Sequence, residues 1–259
     1  MKKIQKITSN YIMKILHELE LYYFSPNEIS SLFDFPKVKT YEILRHLKHK
    51  GLILSLESGK YLLLGFQPER VLSNPMFVAS RVANPGYISF WSALNYYGLT
   101  EQVPKTVFVV TTKKRKKMIF NGSQFIFVKV LPSRFFGYRK VVIGGFPVLM
   151  ADIEKAIIDS LNEPDYAGGF LEVAKSLYQG LSKIKMRRLI KYANLMGNLS
   201  VCSRLGYLLE QYGIYTKGLK ISQTYVLLDP GARAEGSYDH KWRIRVNIPK
   251  EKLFEWRGN

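Results

Sequence analysis

Residues 25–64 read SPNEISSLFDFPKVKTYEILRHLKHKGLILSLESGKYLLL, and this stretch decides the fold of the N-terminal part of the chain. Ser25, Pro26 and Glu28 supply a cap residue, a proline at the first helical position and a glutamate at the third. This combination is a capping box and predicts a short helix over residues 26–33. Asp34-Phe35-Pro36 ends that helix, because a residue before proline avoids the helical region.

Periodic and turn-forming residues extend the pattern in both directions. A longer helix is predicted over residues 37–50, with Gly51 as its C-terminal cap. Residues 52–55 and 60–64 are predicted strands around a glycine turn, which makes a hairpin. Upstream, apolar residues recur at helical spacing over residues 8–21. Three helices followed by a hairpin within ~65 residues is the order of a winged helix-turn-helix.

The helix after Pro36 is the expected recognition helix of this module. Such helices present their N-terminal turns to base edges, so Lys37, Lys39 and Thr40 are predicted to face the major groove. Arg45 and Lys48 lie further along the helix and suit phosphates. The alternative is that these side chains are ordinary solvated charges on a surface helix.

Two further residues belong to this predicted interface. Tyr41 falls in the apolar stripe with Val38, Leu44 and Leu47, and from there its hydroxyl would reach a phosphate. In the wing, Lys60 is expected to lie against the flanking DNA backbone.

Charge and cysteine content limit the classes of function. The 259 residues carry a formal net charge of +19 and are 47% hydrophobic, which favours a folded protein with a polyanionic or acidic partner over a disordered chain. The single cysteine, Cys202, excludes an intrachain disulfide and is predicted to be buried. We find no secretory signal and no run of ~20 apolar residues. A cytoplasmic location is therefore expected, with no membrane partner.

The residues after position 67 are predicted to form a second domain. Residues 1–67 carry 10 Lys and Arg against 6 Asp and Glu, a balance of +4, whereas residues 68–259 carry 29 against 14, a balance of +15. Mixed strand and helix patterns follow the boundary. The fold class is therefore predicted to be α+β, with an N-terminal winged helix-turn-helix over residues 1–67 and a larger, basic, mixed α/β domain over residues 68–259.

Two basic clusters in the second domain are candidate contacts for a DNA backbone or another partner. The first lies between predicted strands and comprises Lys113, Lys114, Arg115, Lys116 and Lys117. The second lies on a helix predicted over residues 182–196 and comprises Lys183, Arg187, Arg188 and Lys191. The four-residue spacing of Lys183, Arg187 and Lys191 places these three on one face. Both clusters suit phosphates in a salt-dependent way, and both would equally suit RNA or an acidic protein.

The sequence offers little for catalysis. It contains no phosphate-binding Gly-x-x-x-x-Gly-Lys-Ser/Thr loop and no zinc motif of histidine and cysteine. The nearest candidate for the acidic ligands of a metal nuclease is the loop that contains Asp229, Glu235 and Asp239. We predict a protein that is not an enzyme and needs no cofactor or metal ion.

Two further segments resemble the AbiEi family of type IV antitoxins. Residues 87–104, YISFWSALNYYGLTEQVP, resemble the family's helix with Ser-Ala-Leu, an aromatic residue, Gly-Leu-Thr and Gln-x-Pro. Residues 142–159, VIGGFPVLMADIEKAIID, resemble its strand pair and its helix with Glu-Lys-Ala and a downstream aspartate. The resemblance covers residues from about 8 to about 200, and the tail after about residue 215 has no counterpart.

The resemblance implies a repressor that regulates its own two-gene operon at repeated operator sites. It also implies a nucleotidyltransferase-like toxin, AbiEii, as a cognate partner that is neutralised without a stable complex. Copies of the protein are expected to associate side by side on DNA. Three alternatives stay open: a DNA- or RNA-binding regulator without a toxin partner, an interaction module for an acidic protein, and, as the least favoured, a metal-dependent nuclease.

Overall fold

The computed structural model of the protein describes residues 8–257. The chain forms two compact units. The first comprises the residues up to Val82 together with Ile143–Phe146, and the second comprises Ala83–Val142 and the residues from Pro147 onward. Helices and strands are mixed, and the α+β class predicted from the sequence is confirmed. Within residues 8–257, none of the helices has the length and apolar run that crossing a bilayer requires.

The first unit contains five helices and three strands within its described residues. In chain order these are α1 (Ser9–Glu18), β1 (Tyr23–Phe24), α2 (Pro26–Phe33), α3 (Lys37–His49), β2 (Ile53–Glu57), β3 (Lys60–Leu63), α4 (Pro68–Leu72) and α5 (Pro75–Val82). The strands pair antiparallel in the order β1-β3-β2. The two-residue strand β1 was not predicted, because a strand this short leaves no alternation in the sequence.

Local signals define α2 and the hairpin as the sequence predicts. Ser25 and Glu28 form the capping box, in which the Glu28 carboxylate accepts a hydrogen bond from the Ser25 backbone N–H at 2.7 Å. Gly59 has a φ of 65° in the turn between β2 and β3, where a residue with a Cβ would be strained. Leu16 of α1, Leu44 of α3 and Leu62 of β3 are buried in the core, and α3 packs against α2 and β2.

The first unit continues past the predicted boundary at residue 67. The buried ring of Phe77 in α5 stacks on Phe146 with centroids 4.4 Å apart, and it meets Tyr22 edge-on at 4.8 Å. The Asn74 amide donates a hydrogen bond to the Ile143 carbonyl at 2.7 Å. These contacts close the core of the first unit, so α4 and α5 belong to it and the division falls at residue 82.

The main sheet of the chain has six strands. They are β4 (Gly86–Ile88), β5 (Thr106–Thr111), β6 (Met118–Phe120), β7 (Ser123–Lys129), β8 (Tyr138–Ile143) and β9 (Phe146–Ala151). Their order is β6-β7-β5-β4-β9-β8. The sheet is mixed, since β5 runs parallel to β7 and β4 parallel to β9, whereas the pairs β4–β5 and β6–β7 are antiparallel.

The second unit contains six α-helices within its described residues, and α7 (Ile153–Asn162) lies at their centre. They are α6 (Phe90–Tyr96), α7 (Ile153–Asn162), α8 (Phe170–Gly180), α9 (Met186–Leu195), α10 (Leu199–Gln211) and α11 (Lys250–Phe254), with short 3-10 helices at Pro132–Arg134, Pro164–Ala167 and Glu255–Arg257. Helix α7 contacts α6, α8, α9 and α10, and every residue from Ile153 to Leu161 is buried.

The C-terminal tail folds as a small sheet of three strands, β10 (Val226–Leu227), β11 (Ser237–Asp239) and β12 (Ile244–Val246), in the order β10-β12-β11. Trp242 anchors this tail against Gly206 of α10, where an added Cβ would lie 2.0 Å from the indole ring. The Glu210 carboxylate accepts hydrogen bonds from the Trp242 indole N–H and from Lys241 Nζ.

The second unit departs from the sequence prediction in two ways. Strands β6 and β11 were missed, because each has only three residues. The helix predicted from residue 182 begins at Met186, since Lys183 and Ile184 instead form turns on the carbonyl of Gly180.

Candidate nucleic-acid interface

Helix α3 has one buried face and one continuous exposed face. Thr40, Leu44 and Leu47 are buried, and at 3.6 residues per turn they define the inner side of the helix. The residues on the opposite side are all exposed, and they are Val38, Glu42, Arg45 and His49. Tyr41 and Lys48 flank this row on one side, and Lys39 and His46 flank it on the other.

The face of α3 is rotated relative to the prediction. Thr40 was predicted to face the groove, which is wrong, because it is 1% exposed and its hydroxyl donates a hydrogen bond to the Pro36 carbonyl at 3.2 Å. Val38 and Tyr41 were assigned to the apolar stripe, which is also wrong. Their side chains are 73% and 46% exposed, respectively. Tyr41 therefore lies on the outer surface, where it is available to a ligand.

The predicted basic residues of α3 are displayed without acidic partners. Lys37, Lys39, Arg45 and Lys48 are all exposed. Lys39 Nζ lies 4.7 Å from the centroid of the Phe35 ring, a cation–π contact that holds this side chain at the start of the helix. No ion pair of these four residues occurs in the part of the chain that the structure describes. Their charges are available to an anion.

Lys60 has a different environment. Its ammonium group lies 3.3 Å from Glu28 Oε2 and 5.6 Å from the centroid of the Tyr23 ring. Burial raises the pKa of Glu28, but the hydrogen bonds from Ser25 and the charge of Lys60 outweigh this effect and lower the pKa. Lys60 thus links the turn end of the β2–β3 hairpin to α2. A phosphate would have to compete with Glu28 for it.

Sequence reasoning missed Val38 and Glu42, which lie in the middle of the exposed face of α3. The signal was present in the spacing, since Thr40, Leu44 and Leu47 are four and three residues apart and form an inner stripe of their own. Val38 was assigned to the core because it is apolar, and Glu42 was passed over because an acidic residue does not bind phosphate. A carboxylate on this face can accept a hydrogen bond from cytosine N4.

The first basic cluster of the second unit lies in the loop between β5 and β6, as predicted. Two of its members are held by the fold. Lys113 Nζ donates a hydrogen bond to the Asn84 carbonyl at 3.0 Å, and the Arg115 guanidinium lies 5.3 Å from the centroid of the Phe127 ring. Lys113 is exposed despite this hydrogen bond, and Lys114, Lys116 and Lys117 are exposed as well.

The second basic cluster is not one helical face. Lys183 lies before α9, and its ammonium donates a hydrogen bond to the Tyr97 carbonyl at 2.9 Å. Arg188 points inward to the buried carboxylate of Glu154, with Nη2 and Oε2 2.9 Å apart. Only Arg187 and Lys191 are exposed on α9 as predicted, so the structure splits the cluster into two free and two engaged residues.

Two of the three carboxylates considered for a metal nuclease, Asp229 and Asp239, accept hydrogen bonds from backbone N–H groups. Asp229 Oδ1 accepts a hydrogen bond from the Gly231 N–H at 2.8 Å, and Asp239 Oδ1 accepts one from the Trp242 N–H at 2.8 Å. Among residues 8–257, no group of three histidine, cysteine, aspartate or glutamate side chains is arranged to hold a metal ion.

Comparisons with known proteins bear on the fold alone. No protein-family model matches the sequence. A comparison with curated proteins finds no relative. Among solved structures, the chain is similar to the crystal structure of the RV2827C protein from Mycobacterium tuberculosis, with a TM-score of 0.55 and 11% identity over 97% of this chain and 94% of that chain. The likeness thus extends over both units and includes the C-terminal tail.

Proposed function

We propose that this protein is a DNA-binding transcription regulator that reads its operator through α3. In this proposal α1, α2, α3 and the β2–β3 hairpin constitute a winged helix-turn-helix, with α3 in the major groove and the hairpin as the wing. The observation that carries the proposal is the outer face of α3, where Val38, Glu42 and Arg45 lie between Lys39 on one side and Lys48 on the other, with Lys37 exposed at the first position of the helix. None of these four basic side chains has an acidic partner among the described residues.

The chemistry of this face suits base readout as well as charge neutralisation. Lys37 and Lys39 lie in the first turn, where recognition helices meet guanine acceptors. Val38 presents methyl groups that match a thymine methyl, and Glu42, one turn further along, matches the amino group of cytosine. Arg45 and Lys48 suit the phosphates that border the groove.

Basic residues of the second unit would add contacts with the DNA backbone. The exposed lysines of the β5–β6 loop and the exposed pair Arg187 and Lys191 suit phosphates. Arg188 and Lys183 are omitted from the proposed contacts, because their hydrogen bonds are made within the protein.

The resemblance to the AbiEi antitoxins supports a more specific role. We propose that the protein represses its own operon in the cytoplasm, binds repeated operator sites side by side, and counters a nucleotidyltransferase-like toxin without a stable complex. The proposal includes no catalytic activity and no cofactor. A nucleotidyltransferase-like reading frame adjacent to the gene would support the toxin partner, and its absence would leave only the DNA-binding role.

Binding to the DNA upstream of the protein's own gene tests the main proposal. Lys37→Glu/Arg45→Glu should weaken binding of that duplex by at least about 10-fold, since each reversal removes a phosphate or base contact and adds repulsion. The matched control is Lys105→Glu/Lys250→Glu, which makes the same charge change at exposed positions outside α3. Equal affinities of the two double variants would overturn the proposal.

A further inference from the structure

The C-terminal tail carries a cluster of aromatic and basic side chains that the DNA-binding proposal does not use. We call it the tyrosine–arginine patch, and it comprises Tyr225, Tyr238, His240, Arg243 and Arg245. Strand pairing places Tyr238 directly opposite Arg245. Ile244 is fully buried, so Arg245, the next residue of β12, points to the opposite, outer side of the small sheet. Arg243 precedes the strand, and its exposed side chain lies on the ring of Tyr225.

The side chains of the patch contact one another. The guanidinium of Arg243 lies 5.4 Å from the Tyr225 ring centroid, and that of Arg245 lies 5.4 Å from the Tyr238 ring centroid. The two tyrosine rings meet edge-on at 4.7 Å. The Tyr225 hydroxyl accepts a hydrogen bond from Arg243 Nη1 at 3.4 Å and is also hydrogen-bonded to the His240 ring. The aromatic rings and the guanidinium groups of the patch therefore lie side by side on this surface.

The patch is accessible and positively charged. Tyr225 and Tyr238 are 37% and 50% exposed, and His240 and Arg243 are exposed as well. In the part of the chain that the structure describes, neither arginine of the patch pairs with a carboxylate; each guanidinium rests on an aromatic ring instead. Asp239, the acidic residue nearest in sequence, is occupied as a hydrogen-bond acceptor for the Trp242 N–H.

Arg243 adopts a backbone conformation that residues with a Cβ rarely occupy. Its φ is +54°, in the left-handed region. Trp242, the preceding residue, is buried against α10, whereas the side chain of Arg243 is exposed on the ring of Tyr225. Strained residues of this kind concentrate at binding sites, where the surroundings hold them in place. Here the left-handed conformation places the side chain of Arg243 on the surface, beside the exposed rings of Tyr225 and Tyr238.

We propose that the tyrosine–arginine patch binds the unpaired bases of a single-stranded nucleic acid. Aromatic rings and guanidinium planes stack on base faces, and the positive charge attracts the phosphates between them. Duplex DNA offers phosphates to this surface but keeps its base faces within the helix, so it would leave the rings unused. The patch is thus a second nucleic-acid site, distinct in ligand from the duplex site proposed for α3.

The full-length protein can be tested by fluorescence anisotropy with labelled oligothymidylate, oligouridylate and a random duplex, each about 15 units long. Tyr238→Leu and Arg243→Gln should each weaken single-strand binding about 5-fold or more and leave duplex binding unchanged. Tyr238→Phe should retain single-strand binding, because the ring remains. A tighter complex with oligouridylate would assign the site to RNA, and equal binding of both strands would assign it to unpaired bases in general.

Two controls separate this proposal from its alternatives. Arg233→Gln removes one charge from an exposed position of the same tail outside the patch, and it should change single-strand binding less than 2-fold if stacking, rather than charge alone, is decisive. Lys37→Glu/Arg45→Glu should weaken binding of the operator duplex but not of the single strands. The proposal is overturned if Arg233→Gln matches Arg243→Gln, if Tyr238→Phe loses binding as Tyr238→Leu does, or if duplex and single strands weaken together.

Discussion

Lys155 and Asp159, one turn apart on α7, form an ion pair in the centre of the second unit, with side-chain exposures of 0% and 2%. Asp159 also accepts hydrogen bonds from the Ser89 hydroxyl at 2.7 Å and from the Tyr87 hydroxyl at 3.2 Å. The ammonium of Lys155 additionally lies 4.5 Å from the Phe136 ring centroid. Both charges are thus satisfied inside the protein, and their burial excludes them from any contact with a ligand.

Breaking this pair should destabilise the fold strongly. Asp159→Asn leaves the Lys155 charge buried without its partner, and we expect a loss of about 3–5 kcal/mol in the free energy of unfolding, measured by urea denaturation. The control is Glu18→Gln, which breaks the exposed pair with Lys14 and should cost less than about 1 kcal/mol. A loss at Asp159 as small as the one at Glu18 would show that water reaches Lys155.

Thr40 and Glu42 should respond in opposite ways to substitution. Thr40→Val removes a buried hydrogen bond to Pro36 and should cost about 1 kcal/mol of stability without altering base preference. Glu42→Gln should leave stability unchanged, because Glu42 is exposed. It should change which base is preferred at the contacted operator position, where the difference in binding free energy between bases is about 1–3 kcal/mol. Selection of bound sequences from a random duplex pool measures this shift, and a change in preference for Thr40→Val would contradict the orientation of α3.

The lysines of the β5–β6 loop should set part of the salt dependence of DNA binding. If Lys114, Lys116 and Lys117 each neutralise a phosphate, their joint replacement by glutamine should reduce the slope of log affinity against log salt by up to about 3. Joint replacement of Lys105, Lys217 and Lys250, which are exposed outside the loop, serves as the control for net charge. The loop has no direct role if both triple variants give the same slope.

Gly206 should tolerate no side chain, since an added Cβ would lie 2.0 Å from Cζ3 of Trp242. Gly206→Ala therefore displaces the indole and should cost about 1–3 kcal/mol in the free energy of unfolding. Trp242→Phe costs stability by itself, but the double variant should lose less than the sum of the two single losses, because the smaller ring leaves room for the methyl group. Strict additivity would mean that the tail does not pack on α10 in this way.

Cys202 should react slowly with thiol reagents in the folded protein. Burial raises the pKa of its thiol from 9.0 to about 11, so at about pH 8.5 the folded state contains about 100-fold less thiolate than the unfolded state. Because the folded pKa is the higher one, this group stabilises the fold below about pH 9, and the contribution is lost as the pH rises through 11. Labelling rates with and without concentrated guanidinium chloride test this, and equal rates would contradict the burial.

Local signals allowed much of the first unit to be predicted from sequence. The capping box at Ser25 and Glu28, the break at Pro36, and the glycines at positions 51 and 59 each act on the backbone within a few residues. Their effect does not depend on what packs against them. The elements α2, α3 and the β2–β3 hairpin therefore appear where the sequence predicts them.

The orientation of side chains was decided by contacts between segments that are distant in sequence. Which side of α3 is buried depends on where α2 and β2 lie, and this made Thr40 a core residue and Val38 a surface residue. Lys60 and Arg188 were predicted as contacts for a DNA backbone or partner, but each forms an ion pair with a carboxylate distant in sequence, Glu28 and Glu154 respectively. An ion pair between residues far apart in the chain produces no recurring pattern in the sequence from which it could be predicted.

The sequence by itself determined the basic charge, the approximate boundaries of the main N-terminal elements and the positions of the cationic residues along the chain. The tertiary structure alone decided which of these cations remain exposed, that α4 and α5 complete the first unit, and that five residues of the tail form one surface. The physical reason is range: caps, turns and prolines act through neighbouring peptide units, whereas burial and ion pairing depend on segments that only folding brings together.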